Sequence, residues 1–133
     1  MIYFHSCIHG DLSGLEAILK LGASVNWQEK YPPITRQTGL HIAAYYNHKD
    51  LVEFLLTQDG IDVNMTDWAH RTPLMLAVER NHVDIVRRLI RVEGIDYQQK
   101  CTSGYTALAI ARKMKHTEIV KVLKEAIREY NKK

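Results

Sequence analysis

Apolar residues along this chain fall in paired short runs, and the pairs recur at a fixed interval. Leu40, Ile42 and Ala43 mark the first run of one pair, and Leu74, Leu76 and Ala77 that of the next. The second runs are Leu51, Val52, Leu55 and Leu56, then Ile85, Val86, Leu89 and Ile90, then Ile119, Val120 and Leu123. Spacings of i, i+1, i+4 and i+5 predict short helices that bury one face, with these side chains as the core. Polar residues keep the same interval: Thr38, Thr72 and Thr106 are equally spaced, and so are the pairs Asn47-His48, Asn81-His82 and Lys115-His116. Two tracks sharing one period define an internal repeat.

The punctuation has a chemical reason. Thr72 suits an N-cap, its hydroxyl accepting from a free amide of the first turn, and Pro73 suits the first helical position, where no amide partner is needed. Thr38 and Thr106 repeat the cap without the proline. Gly22, Gly60 and Gly94 each follow a second run and suit the left-handed residue that ends a helix. Asn26, Asn64 and Gln98 then open a connecting finger, so each unit reads helix, turn, helix, finger.

The stretches Thr38-Gly39-Leu40-His41-Ile42-Ala43-Ala44, Thr72-Pro73-Leu74-Met75-Leu76-Ala77-Val78 and Thr106-Ala107-Leu108-Ala109-Ile110-Ala111 resemble the Thr-Pro-Leu-His-x-Ala helix start of the ankyrin repeat, a unit of about 33 residues. The resemblance covers nearly the whole chain. Residues 10–26 read as the second helix and closing turn of a first copy, which gives four repeats at about 1–34, 35–68, 69–102 and 103–133. The resemblance implies an all-α ankyrin-repeat solenoid, a single domain of stacked helix-turn-helix units with short β-hairpin-like fingers, each unit covered only by its neighbours. Three departures stand out. Gly39 and Ala107 replace the motif proline, Lys49 stands where other copies have Leu12 and Val83, and the first copy has no preceding finger, only the apolar start Ile2-Tyr3-Phe4.

Composition changes this picture little. With 133 residues and 46% hydrophobic content, the core of such a chain is a stripe. No apolar run reaches about 18 residues and no charged, then apolar, then small-residue leader opens the chain, so the expectation is a cytoplasmic or nuclear protein without a membrane partner. Cys7 and Cys101 fall about three repeats apart, too far to bridge, which fits reduced thiols. The net charge of +3 is uneven: from Arg112 onward eight Lys and Arg face three Glu, whereas the chain before it holds ten against twelve acidic groups. Lys121, Lys124, Arg128, Lys132 and Lys133 read as the polar outer face of a capping helix, with attraction for an acidic partner as the other reading. Nucleic-acid binding would need basic residues across several repeats, and the first three do not supply them.

Catalytic chemistry is not indicated. His48, His82 and His116 are accounted for by the period, and His41 occupies the histidine of the helix-start motif. His5 and His9 sit four apart, a spacing able to place two imidazoles on one helix face, but no third ligand follows and Cys7 points elsewhere. No phosphate-cradling glycine loop, zinc-protease helix or serine elbow occurs. The expectation is a non-enzyme with no cofactor and no metal.

Where the copies differ, solvent-facing positions are free to serve a partner. The first finger is longer than the others: the stretch from Asn26 to Thr38 is half as long again as that from Asn64 to Thr72 or from Gln98 to Thr106. It carries Trp27, Tyr31 and Arg36, and Pro32-Pro33 stiffens it, which lowers the ordering cost of docking; a tolerated loop extension is the alternative. The second finger places Trp68 near its tip beside Arg71, with His70 where the family usually has glycine. Tyr45 and Tyr46 end the first helix of one repeat, matched by Glu79 and Arg80 and by Lys113 and Met114, and Tyr105 follows Gly104. Trp27, Tyr31, Tyr45, Tyr46, Trp68 and Tyr105 are six of eleven aromatics that the helical core does not claim. With Arg36, His70, Arg71, Glu79, Arg80 and Lys113 they form the candidate partner-binding set, although Trp27 and Tyr105 are equally suited to packing between fingers.

The resemblance thus implies non-catalytic recognition of another protein or peptide by a monomer acting as inhibitor, adaptor or scaffold, through the concave helix face and finger tips. The alternatives are a targeting segment of a larger enzyme or ubiquitin-ligase adaptor, and a spacer with no ligand. Leu56 followed by Asp62-Val63-Asn64 is similar to the pattern modified by asparaginyl hydroxylases in ankyrin-repeat proteins, which makes Asn64 a candidate hydroxylation site beside its structural role. Asn26 matches less well because Ser24 replaces the acid.

Overall fold

In a computed structural model of the protein, residues 2–30 and 34–132 are described. They form eight helices and no strand: α1 (Ile2–His9), α2 (Leu12–Lys20), α3 (Gly39–Tyr45), α4 (Lys49–Leu56), α5 (Pro73–Glu79), α6 (Val83–Leu89), α7 (Ala107–Lys113) and α8 (Thr117–Asn131). Odd and even helices pair within a unit, and α1, α3, α5 and α7 stack in one row more closely than α2, α4, α6 and α8 do in the other. A tighter row on one side curves a stack toward that side, so the odd helices line the concave face. The all-α repeat architecture expected from the period is what the chain adopts.

Small residues let the inner row close up: Ala43, Ala44, Ala77 and Ala111 are fully buried. Gly39 shows the same requirement more sharply. A Cβ there would lie 2.7 Å from Tyr3 Oη and 3.0 Å from Cys7 Sγ, so α3 seats against α1 only if the motif proline is absent. The apolar start is therefore core, with Tyr3 and Phe4 buried in α1 and the Tyr3 hydroxyl donating to the Val25 carbonyl at 3.0 Å. Burial pushes the Cys7 thiol up to about 12, which leaves it protonated and unreactive.

The polar track explains itself at each joint. Thr38, Thr72 and Thr106 accept from the amides of His41 (3.3 Å), Met75 (3.3 Å) and Ala109 (3.2 Å), as N-caps should. His48, His82 and His116 stand at the N-cap of the second helices without capping them. Each ring instead reaches back a unit, its Nε2 donating to the carbonyl of Ile8 (2.7 Å), Tyr45 (2.9 Å) or Glu79 (3.3 Å), one of the carbonyls a helix end leaves unpartnered. Asn26 and Asn64 clamp the next turn: their Nδ2 groups donate to Gly60 O (2.7 Å) and Gly94 O (2.8 Å), and their Oδ1 atoms accept from Asp62 N (2.8 Å) and Asp96 N (2.9 Å). Gln98 meets no such turn because α8 continues for 15 residues through the place where it would fall.

The core departs from the expected list at three positions. Leu56, Ile90 and Val120 are only half-buried, each beside a fully buried neighbour and packed against the edge of the core. Met75, Val78 and Val122 are buried instead. Lys49 is exposed and its ammonium lies 2.8 Å from Asp84 of the next unit. Arg88 and Glu53 pair at 2.6 Å, and Arg87 pairs with Glu118, so ion pairs cross every joint of the outer row from α4 to α8. Such exposed pairs add little stability each.

Candidate partner-binding site

The fingers close like hairpins but carry no strand among the described residues. In the second finger Asp67 N donates to Arg71 O at 2.9 Å and His70 N to Asp67 O at 3.0 Å; in the third, Cys101 N donates to Tyr105 O at 3.0 Å and Gly104 N to Cys101 O at 2.9 Å. One backbone bond ties each pair of neighbouring fingers, Trp68 N to Thr35 O and Thr102 N to Ala69 O, both at 2.9 Å. Gln28 and Gln37 of the first finger add bonds to Thr66 O at 3.0 Å and to the Asp67 carboxylate at 3.4 Å. The second finger has a further support. The buried Asp67 carboxylate accepts from Ala69 N (3.0 Å), Arg71 N (2.8 Å) and Arg71 Nε (3.0 Å), and Arg71 Nη1 reaches Glu79 at 3.3 Å.

His41 holds the base of that finger from below. Its Nε2 donates to Arg71 O at 2.8 Å and its Nδ1 accepts from Thr38 N at 3.1 Å, so the ring is the neutral Nε2–H tautomer. Burial lowers its pKa below the ordinary histidine value, and the Arg71 carbonyl and the Asp67 charge only partly oppose this.

Above this base lies a groove of about 500 Å³ between the second and third fingers and the ends of α3, α5 and α7. Seven of the residues selected from the sequence line it: Tyr45, Trp68, Arg71, Glu79, Arg80, Tyr105 and Lys113. Trp68 is 61% exposed, as much as a surface side chain, although its finger is fixed. Each ring carries a cation on one face: the Arg80 guanidinium lies 4.9 Å from the Tyr45 centroid, the Lys113 ammonium 4.7 Å from that of Tyr105, and Arg71 6.0 Å from that of Trp68. These contacts hold flexible side chains over flat apolar surfaces.

Other selected residues lie elsewhere. Trp27 tilts against Tyr3 and Phe4 with centroids 6.0 and 6.2 Å away, so it anchors the first finger to α1. Tyr46 stacks on His48. Arg36 and His70 are exposed residues at φ 57° and 58°, in the finger position where Gly104 stands at 85°. Tyr31, Pro32, Pro33 and Lys133 lie outside the described residues. Sequence reading missed the groove-lining Cys101, Thr102 and Ser103; stepping one period on from Asp67 and Trp68 would have found the first two. Among the described residues no group of three or more metal-ligating side chains occurs, and His5 and His9 meet only each other, at 4.4 Å between ring centroids. No helix among the described residues is long and apolar enough to cross a membrane.

A family model of ankyrin repeats, three copies long, matches residues 3–101 and again residues 40–133. Human ankyrin repeat and SOCS box protein 6 is 40% identical over 57 residues, which cover 43% of this chain and 13% of that protein. The I-kappa-B like protein I1 of Microplitis demolitor bracovirus is 34% identical over 59 residues, covering 44% of this chain and 34% of that protein. The chain thus spans well under half the length of these relatives. Ankyrin repeats are protein-interaction modules of a generally non-catalytic family, and with the period, caps, histidine ladder and asparagine clamps described above the chain belongs to that family.

Proposed function

We propose that this chain recognises a partner protein through the groove bounded by Tyr45, Trp68, Arg80, Tyr105 and Lys113, acting as an inhibitor, adaptor or scaffold with no catalytic step of its own. The observation that carries this reading is that side chains from three successive units converge on one groove with exposed Trp68 at its edge. Trp, Tyr and Arg dominate interface energetics because each combines large contact area with a polar handle. The fingers are tied to each other and to the helices beneath, so little ordering cost opposes docking.

The test is affinity capture with the wild-type chain beside a Tyr45→Ala/Trp68→Ala variant of equal helicity. A protein held by the first and lost by the second supports the reading, with a drop of at least about 1–2 kcal/mol in binding free energy. Equal capture, or none, leaves a spacer. A second reading is favoured by the similarity to a protein whose name couples ankyrin repeats to a SOCS box: the segment serves as the targeting part of a larger ligase adaptor or enzyme. We place the protein in the cytoplasm or nucleus, as a monomer, which the two free cysteines support. Asn64 is proposed as a hydroxylation site on the strength of its flanking Leu56, Asp62 and Val63 alone; a mass gain of one oxygen atom on the peptide containing it is the readout.

A further inference from the structure

The partner's chemistry follows from the charges left over in the groove, given the binding reading above. Glu79 is its one carboxylate, and Arg71 holds it; Arg71 is also paired with buried Asp67. Arg80 and Lys113 have rings beneath them and no carboxylate partner among the described residues. The imbalance continues past the groove mouth. Arg112, Lys115, Lys121, Lys124 and Arg128 are exposed on α7, α8 and the turn between them, while Glu118 is held by Arg87 and Glu129 by Lys132, which leaves Glu125 as the one acid against these five cations. We propose that the groove takes an extended acidic peptide segment, its carboxylates meeting Arg80 and Lys113 while its apolar side chains cover Trp68.

An ammonium or guanidinium already lying on a ring cannot be desolvated cheaply unless an anion comes with the incoming chain, and a carboxylate in the plane of Arg80 supplies one. The positive potential running from Lys113 along α8 then steers the acidic chain toward the groove. Single-stranded nucleic acid fits less well. It needs a basic track along its backbone across several repeats, and the repeats before the last do not supply one.

The experiment pans a random peptide library on phage against the immobilised whole chain, then measures the enriched peptides by fluorescence anisotropy. Expected are peptides rich in Asp and Glu whose affinity falls about tenfold or more with Arg80→Gln/Lys113→Gln, with their own Asn and Gln counterparts, and between ~50 and ~500 mM salt. Lys20→Gln, which removes a charge at the far end, is expected to change affinity less than about twofold. Neutral or basic peptides that need Trp68 and ignore Arg80 and Lys113 overturn the acidic specificity while sparing the groove. Enriched peptides indifferent to Trp68→Ala and to the charge variant overturn the groove itself. No enrichment over blank beads, or tighter binding of a labelled oligothymidine than of any peptide, also overturns the proposal. Circular dichroism of every variant separates lost binding from lost folding.

Discussion

The second and third fingers are the same backbone built on different chemistry. Their hairpin bonds match, at 2.9 and 3.0 Å in the second against 3.0 and 2.9 Å in the third, and each finger is tied to the one before it by one backbone bond of 2.9 Å. To this the second adds Gln28 Nε2 to Thr66 O at 3.0 Å and Gln37 Nε2 to the Asp67 carboxylate at 3.4 Å. Yet Asp67 gives the second finger a buried carboxylate with four donors, and His41 fixes its last carbonyl. The third finger has Cys101 and Met75 at the matching places, which offer neither. At the left-handed position the balance reverses, since Gly104 takes φ 85° freely while His70 is held at 58°. The stack imposes the finger's shape, and side chains decide its stability.

The largest effect expected on this comparison comes from Asp67→Ala, which leaves two amides without their acceptor and takes from Arg71 one of its two carboxylate partners. Urea unfolding should show a loss of about 2–3 kcal/mol, the upper end of the range being discounted because Arg71 is partly exposed. A loss below about 1 kcal/mol would mean that the second finger has no more support than the third. Cys101→Asp sharpens the contrast from the other side. A carboxylate there finds the amides of Ser103 and Tyr105 in the places of Ala69 and Arg71, so stability should rise by about 1 kcal/mol; a lowered midpoint would show that the two fingers do not share a geometry.

Exchanging the left-handed residues should have smaller and opposite effects. His70→Gly should stabilise by about 0.5–1 kcal/mol and Gly104→Ala should destabilise by about 1 kcal/mol, read as shifts in thermal midpoint. Equal signs for the two would remove the argument from φ.

The smallest effect is that of pH. His41 is neutral in the folded protein and its pKa is lowered by burial. The unfolded chain therefore takes up the proton first as pH falls below ~6.5, so this contribution to stability is complete above that value and is lost on further acidification. The His41 ring protons should titrate with a midpoint below ~6.5 in NMR, and hydrogen-exchange protection in the second finger, taken relative to the intrinsic rate at each pH, should fall on acidification while that of the third finger, resting on Met75, does not follow. A midpoint at or above the ordinary histidine value would contradict the lowering by burial.

Much of the groove is legible before any coordinates, because the positions that end the odd helices and tip the fingers recur and their occupants do not. Tyr45, Glu79, Arg80 and Lys113 are found this way and share one groove with Trp68. Trp27 illustrates where such reading stops. It has the same composition signal as Trp68, but its neighbours Tyr3 and Phe4 lie far back along the chain in α1 and hold it against that helix, 41% exposed and away from the groove. The pairing of Arg71 with Asp67 and Glu79 is hidden for a related reason, since a charged residue at a surface position gives no sign that its partners are already in place.

Sequence alone determined the unit, its period, the helix caps and the all-α class, because each follows from local hydrogen bonding and from an apolar face that must meet a copy of itself. Tertiary structure alone decided which rings stay open to a partner, why Gly39 replaces proline, and which cations keep an uncompensated charge. Those outcomes depend on side chains about one repeat away, and separations of that kind are set only when the units stack.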